Sequence, residues 1–228
     1  MAVCDDLHRI AYTPLETGLY WRVLHTAFGA LQPHPTSIGR LALVQDQPPG
    51  TMPLSTFYFA WHPAGALWET GLRGIPGDAQ QVELDPGWLA SHKLACIELQ
   101  RELPIIALDH PARRKVIDYE SPEDQRWHGH LTTTRYARTH RAAAAVYRQC
   151  QQANQPFPGF RWPSRQVQSE LVGVLYGPAF NPDDWKVVDV HDLSSGLGFA
   201  HLENALAIGG FQRVASLGRV GGTPIGGR

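Results

Sequence analysis

The chain has 228 residues, 43% of them hydrophobic and 18% charged, with a net charge of -1. That length permits one domain or two, and the composition is that of a globular protein rather than a disordered one. Near-neutrality supplies no broad basic field, and no apolar run approaches the roughly 20 residues that cross a bilayer, so neither direct nucleic-acid binding nor a membrane is expected.

In chain order, Leu19–His25 is aromatic and β-branched and reads as a strand, with Gly18 as the preceding break. A Pro- and His-rich loop over 32–37 follows, then Arg40 and a short strand over Leu41–Val44. STFYFAW, ending at Trp61, is the next strand, and Pro63 is placed to open a helix reaching about Gly74. KLACIELQ and PIIALD read as sheet strands, and the polar run ARRKVIDYESPEDQRWHGH as mostly surface. Thr132–Gln152, rich in Ala and Arg and opened by threonines that can cap it, is the strongest helix signal. FPGFRWPS, ELVGVLYG and DWKVVDVHDL add strands. Strands outnumber helices without βαβ alternation, which predicts a single α+β domain. Its expected limits are an N-terminal extension over 1–17, a catalytic domain over 18–212 and a loose Gly-rich tail over 213–228.

The acidic N-terminus MAVCDDLHRI lacks the basic start of a secretion signal, pointing to the cytoplasm. Cys4, Cys96 and Cys150 are far apart and read as reduced, structural thiols. His128 and His130 in WHGH have no partners at metal-ligand spacing, so a polar loop and no metal site are expected. There is no Walker loop, no strand-borne GxGxxG and no GxSxG elbow.

What remains is an ordered set: YWRV, IGR, FYFAWHPAGALWE and RWPSR. It resembles the RES domain family, named for an Arg, a Glu and a Ser, whose members include toxins of toxin–antitoxin pairs acting on NAD⁺. The resemblance assigns Arg22, Arg40, Tyr58, Glu69 and Ser164 to one nucleotide site, and implies a mixed, mainly antiparallel sheet like that of ADP-ribosyltransferases, with flanking helices. It implies NAD⁺ as substrate with no cofactor required, and a cognate antitoxin or immunity protein as partner.

The chemistry suits those residue types. Nicotinamide leaves NAD⁺ neutral, so one carboxylate, Glu69, suffices to stabilise charge developing on the ribose or to hold a water. Arg22 and Arg40 offer planar forks to the pyrophosphate, Tyr58 a ring to the nicotinamide or ribose, and Ser164 a hydroxyl to phosphate or ribose. Taken singly, each residue also fits a plainer part: Glu69 paired with Arg73 on a helix, Arg22 on a solvent face, Tyr58 in a core, Ser164 in a turn. Arg135, Arg138 and Arg141 are expected to form a solvated face. The expected activity is cleavage of the nicotinamide–ribose bond by water or phosphate. Transfer of ADP-ribose to a protein, or binding of NAD⁺ without turnover, are the alternatives.

Overall fold

A computed structural model describes residues 6–35, 39–43, 54–79 and 81–214. The first half holds β1 (Thr13–Leu15), β2 (Gly18–His25), β3 (Thr56–Ala60), α1 (Pro63–Leu67), β4 (Gln81–Val82) and α2 (Pro86–Ser91). β5 (His92–Leu99), β6 (Leu103–Ala107), α3 (Pro122–Thr132), α4 (Tyr136–Gln152) and β7 (Gly159–Pro163) follow. β8 (Leu171–Tyr176), β9 (Trp185–Asp192), α5 (Gly196–Ile208) and β10 (Gln212–Arg213) are the last elements of the described residues.

Eight strands form one sheet in the order β1-β6-β7-β8-β3-β2-β5-β9, and every neighbour is antiparallel except the β6–β7 pair. The expected α+β fold with a mixed, mainly antiparallel sheet is thus the one formed. Its two faces differ. One carries Leu15, Tyr20, Leu24, Phe57, Phe59, Ile97, Ile105 and Trp185, so strands from both edges of the sheet share a core without a helix. That sharing requires the sheet to curl on itself. The other face is covered by helices, with Leu67, Trp68, Trp127, Val146 and Leu202 against Ala60, Phe160 and Val174. Each large side chain so buried contributes about 1.5–3 kcal/mol before entropy is counted.

Local chemistry explains the elements that sequence patterning misplaced. The run expected as polar surface holds α3: Ser121 accepts from Asp124 N at 3.2 Å as N-cap, and Pro122 follows at the first helical position. Trp127 and Leu131, four residues apart, bury one stripe, so His128 and His130 lie on a helix rather than in a loop. Thr132 closes α3, donating to His128 O at 2.9 Å, and α4 begins only at Tyr136 after an extended Arg135. The threonines therefore do not cap α4. Arg135, Arg138 and Arg141 are exposed, as expected.

The strand expected over Leu41–Val44 is not formed by its described residues. Leu41 lies in a turn at φ 60, fully buried, with its N–H on Thr139 Oγ1 at 3.2 Å and its carbonyl accepting from the Tyr176 hydroxyl. Side-chain partners there replace a ladder. Val44 lies outside the described residues.

The expected N-terminal extension contributes an edge strand, β1, in register with β6 from Thr13–Ile105 to Leu15–Leu103. Leu7 is buried and exchanges hydrogen bonds with the Gln149 carboxamide. Domain packing therefore begins before residue 18. Helix α5 was not among the expected elements. Of the expected tail, Arg213 pairs with Val82, and residues 215–228 lie outside the described residues. Cys96 and Cys150 are buried and free, and Cys4 lies outside the described residues.

Candidate functional site

The site arises where the sheet comes apart. β2 and β3 are paired at Trp21 and Ala60, the one position in their register, although β2 pairs with β5 from Gly18 to His25 and β3 with β8 from Thr56 to Tyr176. Beyond Trp21 the two strands diverge, and a cavity of about 420 Å³ fills the gap. It is lined by every residue from Trp21 to His25 and, opposite, by Thr56, Tyr58 and Phe59. Strand alternation puts Arg22 on the inner face with Tyr20 and Leu24, and Tyr58 on the helix-covered face with Ala60. The gap brings both to one cavity.

Glu69 arrives from the helix side. Pro63 opens α1, and after Leu67 the helix widens into a single π-type turn, Trp68–Leu72. Such turns are rare and recur at functional sites. Three contacts fix this one: Trp68 Nε1 donates to Ala205 O at 2.8 Å, Thr70 Oγ1 donates to Ala66 O at 2.9 Å, and Gly71 lies under Trp88. A Cβ at residue 71 would stand 2.0 Å from the Trp88 ring.

Ser164 holds the carboxylate. Its hydroxyl donates to Glu69 Oε1 at 2.6 Å, and the same oxygen accepts from Arg165 N at 3.2 Å. Ser164 Oγ in turn accepts from Gln166 N at 3.1 Å and Val167 N at 3.2 Å, so the hydroxyl, fully buried, is saturated within the protein. Glu69 Oε2 takes no hydrogen bond from the described residues. The pairing of Glu69 with Arg73 is not formed, for Arg73 Nη1 donates instead to Tyr136 Oη at 3.3 Å, and both arginine and tyrosine line the cavity.

Arg22 is 7% exposed and has no carboxylate partner among the described residues. Nη1 donates to Ala30 O at 3.1 Å, the guanidinium carbon stands 4.2 Å from the Phe57 ring centroid, and Nε is buried without a partner. Burial lowers its pKa to about 10, so it keeps its charge at neutral pH in surroundings that penalise it. A buried cation with no acidic partner, lining a cavity, is a candidate site for an anion.

Arg40 lines the same cavity but is employed elsewhere. Nη1 donates to His130 O at 3.0 Å and Leu131 O at 3.1 Å, and Nη2 to Thr133 O at 2.9 Å, closing the carboxyl end of α3. Burial lowers its pKa, opposed by the nearby Glu69 charge. Tyr58 Oη donates to Arg40 O at 2.8 Å, which stands its ring at the cavity wall. Glycine at the neighbouring position gives that ring its place, because a Cβ on Gly39 would lie 2.8 Å from the Tyr58 hydroxyl.

Four of the five residues singled out in the sequence thus line one cavity, and the fifth, Ser164, is bonded to Glu69 beneath it. Sequence reasoning did not single out Tyr136, Phe28, Gln32 or the histidines at 25, 34 and 92, all of which also line it. Phe28 follows a strand end, and the Pro- and His-rich loop was legible only as a loop.

A mixed sheet opened between two strands, with a tethered carboxylate and a buried guanidinium that has no acidic partner among the described residues lining the opening, defines an α+β domain built around a polar cavity. The chain belongs to the RES domain family, whose model matches residues 7–193. That membership carries a family-level role, an NAD-related toxin domain. No curated protein matches the chain. Among the described residues no helix is long and apolar enough to cross a membrane, and no group of three or more His, Cys, Asp or Glu is arranged to hold a metal ion.

Proposed function

We propose that the protein cleaves the nicotinamide–ribose bond of NAD⁺. The observation that carries this is the pairing in one cavity of Glu69, with one oxygen anchored and one open, and Arg22, a buried cation with no acid of its own. Water or phosphate bonds to the ribose C1′, the C1′–N bond breaks, and nicotinamide leaves neutral with the electron pair. When water attacks, its proton passes to solvent. Because the leaving group needs no proton, Glu69 acts as an anion, holding the acceptor or a ribose hydroxyl and facing the positive charge on the ring. Arg22 takes the pyrophosphate, and Tyr58 bounds the ribose or nicotinamide.

Arg40 and Ser164 act as positioning residues in this scheme. Arg40 fixes the end of α3 and, through its carbonyl, Tyr58; Ser164 fixes Glu69. No cofactor or metal enters the reaction, and turnover persists in a chelator. The enzyme acts in the cytoplasm, where loss of NAD⁺ is toxic and a cognate antitoxin or immunity protein restrains it. Incubation of the purified protein with NAD⁺ tests the reading: nicotinamide is released by the wild type and not by Glu69→Gln. Free ADP-ribose or ADP-ribose 1″-phosphate identifies the acceptor, and label transferred to a protein instead would establish ADP-ribosylation.

A further inference from the structure

The cavity has a second wall that the cleavage chemistry does not use. Thr26 to His34 leaves the end of β2 and returns to β3 through a bridge, His34 N to Thr56 O at 2.8 Å and Thr56 N to His34 O at 3.0 Å. Inside it, Phe28 N donates to His25 O at 2.9 Å and Gln32 N to Gly29 O at 3.0 Å, so the loop is built before any ligand arrives. It presents rings to the cavity. Phe28 lies 5.2 Å from His34 at 47° and 6.4 Å from His25 at 72°, and His25 lies 5.2 Å from His92 at 83°. None of these contacts is a parallel stack, so the rings do not cover one another's faces. His92 differs, lying flat against Trp88 at 4.9 Å.

Two further features give the wall a direction. Gln32 lines the cavity, and its Oε1 accepts from Gly29 N at 3.1 Å, so its carboxamide is held with the acceptor oxygen already engaged. Arg22 donates to Ala30 O, in the middle of the same loop, and so joins the wall to the anion receptor. A flat heteroaromatic ring with acceptor nitrogens, attached through a sugar to a phosphate, matches this sequence of surfaces. A purine nucleotide is such a molecule.

The geometry points to Phe28, with Gln32 and the flanking histidines, as a purine-binding wall that holds the adenylate half of the substrate while Arg22 holds the phosphate. This rests on the NAD⁺ reading for the rest of the ligand, but not for the wall itself. The loop is the specificity element: it sets a dinucleotide apart from a nicotinamide mononucleotide, and acts through binding rather than through the bond-breaking step.

The test uses the purified full chain and calorimetric titration with AMP and, separately, ribose 5-phosphate, neither of which requires turnover. Wild type is expected to bind AMP well above ribose 5-phosphate, Phe28→Ala to weaken AMP about tenfold or more with ribose 5-phosphate unchanged, and Phe28→Tyr to remain within about twofold of wild type. The proposal is overturned if wild type binds AMP no better than ribose 5-phosphate, or if Phe28→Ala weakens both equally. It is overturned too if AMP binding is indifferent to the ring. A protein that binds AMP through Phe28 yet releases no nicotinamide would retain the wall and lose the cleavage reading; release of nicotinamide with no AMP affinity would do the reverse.

Discussion

Ser164 donates its hydroxyl proton to Glu69 Oε1 at 2.6 Å, joining positions 95 residues apart in the chain. The bond orients the carboxylate, and the serine does not line the cavity itself. Ser164→Ala is therefore expected to lower kcat about tenfold while KM for NAD⁺ changes little, and Ser164→Thr to recover part of the loss. An equal rise in KM with kcat intact would mean that the serine contacts substrate.

In the proposed scheme Arg22 is a buried charge held for binding rather than for folding. Arg22→Met is expected to remove NAD⁺ turnover and ADP affinity while leaving the free energy of unfolding within about 1 kcal/mol of wild type, since the desolvation penalty disappears with the charge. Urea titration beside ADP calorimetry checks both. A variant that binds ADP normally would contradict the assignment.

Arg40 behaves oppositely. Arg40→Ala leaves three carbonyls at the end of α3 without their donors, which is expected to cost about 3 kcal/mol of stability. A variant as stable as wild type, yet deficient in NAD⁺ binding, would return Arg40 to the ligand.

These contrasts show what was legible in the sequence. Order along the chain marked Arg22, Arg40, Tyr58, Glu69 and Ser164, and strand patterning gave most of the sheet. What each side chain faces was not legible, because Arg40 meets carbonyls 90 to 93 residues away and Ser164 meets Glu69 across 95. Helix α3 was hidden by its charged composition although Ser121–Pro122 marks its start, and the divergence of β3 from β2 has no local signature. Leu41–Leu43 is apolar enough for a strand, but its hydrogen bonds go to α4 and β8 side chains.

Gly39 gives a steric test of Tyr58. A methyl group there would meet the tyrosine hydroxyl at 2.8 Å and its ring carbon at 2.9 Å, so Gly39→Ala is expected to displace the ring and reduce kcat/KM about tenfold. Combining it with Tyr58→Phe should give less than the product of the two single effects. Full additivity would mean that Gly39 acts elsewhere.

Acid should weaken the fold through two histidines. His92 and His201 both titrate below the ordinary value of 6.5, chiefly through burial, with His25 beside the first and His191 beside the second adding repulsion. A histidine whose folded pKa is depressed binds fewer protons folded than unfolded. Its contribution is therefore complete above about pH 6.5 and declines as pH falls toward the folded value. The urea midpoint is expected to drop from about pH 7.5 to about pH 5.5, and His201→Gln to flatten that slope. A midpoint that rises on acidification would reverse the sign.

The central claim is that Glu69, anchored through one oxygen, cleaves NAD⁺ in the cavity between β2 and β3. Chromatographic measurement of nicotinamide released from NAD⁺ by wild type and by a folded Glu69→Gln variant tests it most directly. The account predicts steady release by the wild type and a rate lower by about two to three orders of magnitude in the variant. Absence of release by the wild type, or equal release by both proteins, would contradict it.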